Sequence, residues 1–149
     1  MTKVGIIGVG LMGHGIAKNI LQKGWDLGFL DHPGNQPTDD LVALGGTAWG
    51  SAAKLAETCD ILLLCVTGTP QVEDVLIGSG AALAALRPGA VGVDCSTAIP
   101  SSTRALAAQV REKGCDFVDA AMTRIQSDTM AMVGMTQPQD TFNPEVMSP

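Results

Sequence analysis

Three glycines near the amino terminus constrain the fold of this chain more than any other feature. Gly8, Gly10 and Gly13 follow the short apolar run Val4–Ile7 in the spacing G-x-G-x-x-G, and a helical apolar stripe begins at Met12. This order predicts a strand, a tight turn and a helix whose free N–H groups can receive a pyrophosphate. We expect the first glycine to make the turn, the second to admit the phosphates, and the third to let helix and strand pack closely.

An acidic residue follows the second apolar run at a spacing typical of nucleotide binding. Asp31 directly follows the apolar stretch 27–30. It lies 18 positions after Gly13, since 31 minus 13 is 18. About 20 positions are expected for a carboxylate that binds the adenosine ribose. Positions 32–36 contain no arginine to hold a 2′-phosphate. The sequence therefore predicts a dinucleotide site that takes NAD; a glycine-rich turn without a ligand is the alternative.

Apolar runs alternate with helical stretches through the rest of the chain. Three helices are expected: one capped by Ser51 and running to Glu57, one from the capping pair Thr69-Pro70, and one over Pro100–Glu112. Gly24 and Gly114 are expected to close helix ends. Apolar strands separated by helices are typical of a parallel sheet buried on both faces. We therefore expect a doubly wound, mostly parallel α/β fold of Rossmann type, with helices on both faces. The expected strands are Val4–Ile7, Asp26–Leu30, Ile61–Val66, Ala90–Asp94 and Phe117–Ala120.

The composition argues against several classes of function. The chain has 149 residues, of which 46% are hydrophobic, so a globular domain is expected. A net charge of −6 argues against nucleic-acid binding, which needs a basic face. No apolar run approaches the ~20 residues of a membrane span. Cys59, Cys65, Cys95 and Cys115 form no metal-ligand spacing, so we expect no metal and a reducing, cytoplasmic location.

The ligand of an open α/β sheet lies beyond the carboxyl ends of its strands. The segments that leave those ends are 8–13, 31–32, 65–67, 96–97 and 123–124. Several of these side chains have a second interpretation, which is helix capping. Thr67 and Thr69 suit a cap for the helix at position 70, and Ser96 and Thr97 suit a cap for the helix at position 100. His14 either lines the phosphates or is an incidental surface residue.

Three ordered motifs resemble those of the β-hydroxyacid dehydrogenases, which include 3-hydroxyisobutyrate dehydrogenase and the cofactor domain of 6-phosphogluconate dehydrogenase. They are G-V-G-L-M-G at 8–13, D-C-S-T at 94–97 and D-A-A-M at 119–122, within a match over residues 3–134. The resemblance implies an NAD-dependent oxidoreductase of small hydroxy acids. It also implies that Thr97 meets the nicotinamide end and that Cys65 and Val66 occupy cofactor-loop positions, where the family usually has a proline.

The chain departs from this family in two respects. The family holds the substrate carboxylate with Ser-Gly-Gly, where this chain has Thr123, Arg124 and Ile125. Thr123 keeps a hydroxyl, and Arg124 adds a fork of donors suited to an anion; the alternative for Arg124 is a surface residue paired with Asp119 or Asp128. The family's catalytic lysine comes later, on a helix that begins a second domain, so we expect no catalytic residue within this chain.

These inferences assign residues 1–136 to a dinucleotide-binding domain and 137–149 to an irregular tail, without the family's helical domain. They predict NAD, a small anionic hydroxy acid as substrate, and a homo-oligomer that binds neither nucleic acid nor membrane. A non-catalytic dinucleotide-binding or regulatory protein is the alternative. The candidate substrate residues are Ser96, Thr123 and Arg124. The candidate cofactor residues are Gly8, Val9, Gly10, Leu11, Met12, Gly13, Asp31, His32, Cys65, Val66, Thr67 and Thr97.

Overall fold

Strands and helices alternate through residues 1–122, the part of the chain that the computed structural model describes. Thr123, Arg124 and the tail 137–149 lie outside these residues. No helix within 1–122 is long and apolar enough to cross a membrane. The elements are β1 (Lys3–Ile7), α1 (Leu11–Gln22), β2 (Asp26–Leu30), α2 (Asp39–Ala43), β3 (Thr47–Trp49), α3 (Ala52–Thr58), β4 (Ile61–Leu64), α4 (Thr69–Leu76), α5 (Ala82–Ala85), β5 (Val91–Asp94), α6 (Pro100–Glu112) and β6 (Asp116–Asp119).

The six strands form one parallel sheet in the order β3-β2-β1-β4-β5-β6. Every neighbouring pair is parallel. The chain proceeds from β1 outward to β2 and β3, then crosses back to β4 and continues outward to β5 and β6. This confirms the predicted doubly wound fold. The order reverses between β1 and β4, and a ligand of such a sheet lies outside the carboxyl ends of the strands at that switch point.

Two apolar cores, one on each face of the sheet, hold the helices in place. On one face, Leu21 of α1 and Leu41 of α2 pack against Phe29 of β2. On the other face, α3 to α6 pack against Leu62 and Leu64 of β4. Each such fully buried side chain stabilises the fold by about 1.5–3 kcal/mol. The two cores fix the helices on both faces of the sheet. The segments that connect each strand to the next helix therefore lie at the carboxyl edge of the sheet, where the candidate site is.

Three short elements are absent from the sequence-based prediction. Strand β3 is an edge strand whose residues Thr47 and Ala48 are exposed, so it presents no apolar run. Helices α2 and α5 have five and four residues, too few for a helical apolar period to be visible. These elements depend on packing against their neighbours rather than on a strong local pattern.

Two of the predicted helix caps are wrong. Helix α4 begins at Thr69 with Gly68 at the cap position, and the Thr69 hydroxyl instead accepts a hydrogen bond from the N–H of Ile99 at 2.8 Å. The cap position of α6 is Ile99, so neither Ser96 nor Thr97 caps that helix. Ser51 does occupy the cap position of α3, without a side-chain capping bond. The Thr69 hydroxyl thus joins the starts of α4 and α6 across the sheet edge.

Candidate cofactor site

The three glycines of the turn meet different surroundings. Gly8 has φ +97°, and a Cβ atom there would overlap the carbonyl oxygen of Cys65. A Cβ atom on Gly13 would overlap the carbonyl oxygen of Gly8. At Gly10, apart from the glycine itself and its two chain neighbours, no heavy atom of residues 1–122 lies within 4 Å of the position that a Cβ atom would take. Gly8 and Gly13 therefore allow the backbone to pack on itself, whereas Gly10 leaves open space beside the turn.

The amino terminus of α1 has free N–H groups that can bind an anion. Its first intrahelical hydrogen bond runs from the N–H of His14 to the carbonyl of Gly10 at 2.8 Å. The N–H groups of Leu11, Met12 and Gly13 precede that bond, so they have no acceptor within the helix. In the described structure no side chain caps this end, and its first turn contains no acidic residue. The partial positive charge of the helix end is therefore open to a phosphate.

A cleft of about 960 Å³ opens beside the glycine turn at the carboxyl edge of the sheet. This is near the upper end of the range of about 300–1,000 Å³ that is usual for ligand sites. Its walls include the segments after β1, β2 and β4, which are three of the five segments predicted to leave the carboxyl ends of strands. The predicted residues that line it are Gly8, Gly10, Leu11, Met12, Gly13, Asp31, His32, Cys65, Val66 and Thr67.

Several residues that line the cleft were not predicted from the sequence. Gln71, Asp74 and Val75 of α4 line it, together with Ser79 from the following loop and Ser51 at the start of α3. Their only sequence signal is that they lie on, or next to, the helices that follow strands β4 and β3. Which face of such a helix meets the cleft depends on how the helix packs, so sequence reasoning missed them.

The segment after β2 is tied to the sheet and to the glycine turn. The N–H of Asp31 donates to the carbonyl of Trp49 at 2.8 Å, and the N–H of Gln36 donates to the carbonyl of Val9 at 2.9 Å. The Nδ1 atom of His32 accepts a hydrogen bond from the backbone N–H two residues later, at 2.9 Å. These bonds tie the segment that carries Asp31 to β3 on one side and to the glycine turn on the other.

Three predicted site residues do not line the cleft. The side chain of Val9 is fully buried in the core against α1 and β2, because the residue is the apolar link between strand and helix. Ser96 is only 3% exposed, and its hydroxyl accepts a hydrogen bond from the N–H of Val66 at 2.9 Å. Thr97 is exposed but lies outside the lining of the cleft. Ser96 is therefore a buried structural group rather than a substrate contact in this structure.

His14 fits neither of the two sequence interpretations. Its Nε2 atom lies 2.8 Å from a carboxylate oxygen of Asp40, and Lys18 Nζ lies 3.0 Å from the other oxygen of that carboxylate. The hydrogen bonds from Lys18 and His14 lower the pKa of Asp40. The three side chains join α1 to the start of α2. His14 thus links two helices and does not line the cleft.

The charged groups around the cleft are acidic. Asp31 and Asp74 line it, whereas the part of the lining within residues 1–122 contains neither lysine nor arginine. The backbone N–H and hydroxyl of Ser79 both bond to the Asp74 carboxylate, and these hydrogen bonds lower its pKa. A second phosphate on the adenosine ribose would find no cationic partner in this lining.

Cys59 and Cys115 are buried, whereas Cys65 and Cys95 are half-buried. All four are free thiols. Burial raises the pKa of both Cys59 and Cys65 to about 11, so the Cys65 thiol beside the cleft stays neutral at physiological pH. Within residues 1–122, no three His, Cys, Asp or Glu side chains are grouped as a metal site requires.

The switch-point cleft, the uncapped α1 terminus and the Asp31 carboxylate in the cleft lining together define a dinucleotide-binding domain of the Rossmann class. Residues 3–133 match the family model described as the NAD binding domain of 6-phosphogluconate dehydrogenase. The chain belongs to this family of NAD-binding domains, which is that of the β-hydroxyacid dehydrogenases.

Similar proteins of known activity include several dehydrogenases. The chain is 36% identical over 121 residues to the 2-hydroxy-3-oxopropionate reductase of Escherichia coli, covering 81% of this chain and 41% of that protein. It is 36% identical to the 2-(hydroxymethyl)glutarate dehydrogenase of Eubacterium barkeri, covering 81% and 40%. The structure of a 3-hydroxyisobutyrate dehydrogenase from Salmonella typhimurium superimposes with a TM-score of 0.74 at 30% identity, covering 84% and 43%. The chain thus spans about two fifths of the length of these relatives.

Proposed function

We propose that this chain is the cofactor domain of an NAD-dependent oxidoreductase that acts on a small hydroxy acid. One observation carries the proposal: the uncapped end of α1 and the open space at Gly10 face a cleft that also contains Asp31. NAD supplies the hydride chemistry when it is bound, by accepting a hydride from the alcohol or returning one. The chain's contribution is to bind and orient the cofactor.

Each part of the cleft has a role in this proposal. The N–H groups of Leu11, Met12 and Gly13 donate to the pyrophosphate. The Asp31 carboxylate accepts hydrogen bonds from the ribose hydroxyls and repels a 2′-phosphate. The segment 65–67 packs against the middle of the cofactor, and Thr97 belongs to the nicotinamide side, which is its role in the family that the chain resembles. NAD is therefore preferred over NADP.

Thr123 and Arg124 are proposed substrate-binding residues. They follow Met122, which lines the cleft and comes three positions after the end of β6. An arginine there offers two parallel hydrogen bonds to a carboxylate, which fixes the reacting carbon of the acid. Arg124→Ala is expected to weaken a bound hydroxy acid by about 1.5–3 kcal/mol and to leave NADH affinity unchanged. Loss of NADH affinity without loss of acid affinity would assign Arg124 to the cofactor instead.

A non-catalytic dinucleotide-binding protein is the second candidate. The observation that favours it is the position of the lysines, since none of the five follows the carboxyl end of a strand. They are Lys3, Lys18, Lys23, Lys54 and Lys113. Proton transfer at the substrate hydroxyl needs an acid–base group near that edge. Because this chain is expected not to turn over hydroxy acids under either candidate, the test is binding of a hydroxy acid to the NADH-loaded protein. Such binding, weakened by Arg124→Ala, favours the oxidoreductase, and its absence favours the non-catalytic protein.

The proposal also covers the domain boundary, the cellular location and the self-association of the protein. We propose that residues 1–136 form the domain, that the protein is cytoplasmic, and that it forms a homo-oligomer. Support for self-association comes from exposed apolar side chains on and after β6, with Val118 47% and Met122 38% exposed. Light scattering tests this point: a monomer at high concentration would contradict it.

Calorimetric titration tests the central proposal. NADH and NADPH are titrated into separate samples of the protein, and heat and stoichiometry are recorded. NADH is expected to bind with one site per chain and more tightly than NADPH. Absence of NADH binding would overturn the cofactor assignment, and equal or tighter binding of NADPH would overturn the role of Asp31.

A further inference from the structure

A buried polar pair lies at the end of β5, next to the end of β4. Asp94 is 1% exposed and Ser96 is 3% exposed. One carboxylate oxygen of Asp94 accepts a hydrogen bond from the N–H of Ser96 at 2.8 Å. In the sheet register Asp94 is paired with Leu64, the last residue of β4. The carboxylate therefore orients Ser96 toward the neighbouring strand end.

The Ser96 hydroxyl connects to the backbone on both sides of Cys65. It accepts a hydrogen bond from the N–H of Val66 at 2.9 Å and donates one to the carbonyl of Leu64 at 3.4 Å. The N–H of Cys65 itself donates to the carbonyl of Ile7 at 2.8 Å. The start of the β4–α4 connection is thus held from β1 on one side and from β5 on the other.

This connection forms part of the cleft. Cys65, Val66 and Thr67 all line it. The carbonyl of Cys65 lies so close to Gly8 that a Cβ atom there would overlap it. A displacement of the connection would therefore reach the glycine turn directly. The side chain best suited to hold it is small and can both donate and accept a hydrogen bond, as serine does and alanine does not.

We propose that Asp94 and Ser96 are positioning residues that hold segment 65–67 against the glycine turn and thereby set the shape of the NAD cleft. Neither residue lines that cleft. Their effect on the cofactor passes through the Val66 N–H, which is part-buried and would lose its side-chain acceptor if the hydroxyl were removed. The inference rests on the proposed function, because it requires that the cleft bind NAD.

The test measures NADH affinity and backbone hydrogen exchange in Ser96→Ala. NADH binding is expected to weaken about tenfold, equivalent to one lost hydrogen bond. The Val66 amide is expected to exchange faster, while the amides of β1 exchange as in the wild type. Ser102→Ala is the matched control. The Ser102 hydroxyl donates to Glu73 on α4, and neither residue lines the cleft, so its NADH affinity should stay within about twofold of wild type.

Conservative variants distinguish positioning from a general structural role. Ser96→Cys keeps a weak hydrogen-bonding group, so its NADH affinity should lie between those of the wild type and Ser96→Ala. Asp94→Asn keeps an oxygen acceptor for the Ser96 N–H and should retain more NADH affinity than Asp94→Ala. If an alanine variant folds poorly, Ser96→Cys and Asp94→Asn are compared with the wild type directly, and NADH affinity equal to wild type in Ser96→Cys would contradict the positioning role.

The outcomes separate this inference from the proposed function. If the wild-type protein does not bind NADH, the proposed function fails. If it binds NADH and Ser96→Ala binds equally well, the positioning role alone is wrong. If Ser96→Ala weakens binding but all sheet amides exchange faster together, the role is general stability and the inference is also wrong.

Discussion

The strongest prediction concerns Gly10, because the structure distinguishes it from its neighbouring glycines. Apart from the local backbone, a Cβ atom at Gly10 or at Gly15 would meet no heavy atom of residues 1–122 within 4 Å, but only Gly10 lines the cleft. The backbone at Gly10 has φ −77° and ψ −160°, an extended conformation that alanine adopts without strain. Gly10→Ala should therefore fold, with a change in unfolding free energy of no more than about 1 kcal/mol from the poorer cap.

The added methyl group should act on the cofactor instead. It would occupy space beside the N–H groups that we expect to receive the pyrophosphate. Overfilling a close-packed site costs about 1–3 kcal/mol, which corresponds to roughly 5- to 150-fold weaker NADH binding. Gly15→Ala is the matched control: it should bind NADH normally and be more stable by about 0.5–1 kcal/mol, because alanine replaces glycine inside α1.

Gly13→Ala completes the comparison with the opposite phenotype. Its Cβ atom would overlap the carbonyl oxygen of Gly8, so the backbone must move and the melting temperature should fall. Thermal unfolding and NADH titration are measured for all three variants. Normal NADH affinity in Gly10→Ala would refute the phosphate assignment. A fall in melting temperature of Gly10→Ala as large as that of Gly13→Ala would refute the argument from open space.

Four further predictions concern single carboxylates and turnover. Asp31→Asn should weaken NADH by about 1.5–3 kcal/mol and reduce the preference over NADPH; an unchanged ratio of the two dissociation constants would contradict the ribose assignment. Burial, with the nearby Asp119 charge, raises the pKa of Asp94, so its carboxylate destabilises the fold when ionised. The stability of Asp94→Asn relative to wild type should therefore increase as pH rises above 3.8, the ordinary pKa of aspartate, in urea unfolding at several pH values. The pKa of Asp40 is lowered, so Asp40→Asn should show the opposite trend and lose relative stability as pH rises. The isolated 149-residue chain should bind NADH but not oxidise hydroxy acids at an ordinary rate of roughly 1–10³ s⁻¹; such turnover, at verified mass, would place the proton-transfer group within these residues.

The sequence determined the features that depend on near neighbours in the chain. Strand, glycine turn and helix follow one another within residues 3–22, so spacing and apolar period were enough to predict them. The same holds for Asp31, because a strand end and a fixed spacing locate it. Alternating apolar runs and helices also predicted the doubly wound sheet, since short connections between parallel strands allow few topologies.

Only the tertiary structure decided where several individual side chains belong. Ser96 faces Val66, 30 positions earlier, and His14 meets Asp40, 26 positions later. Neither pairing has a local signal, because each arises from the order and register of strands or from the packing of one helix on another. The same reason explains why Asp74 on the cleft wall was missed. Local spacing determines which segments reach the carboxyl edge of the sheet, and packing between distant segments determines which of their side chains face the ligand.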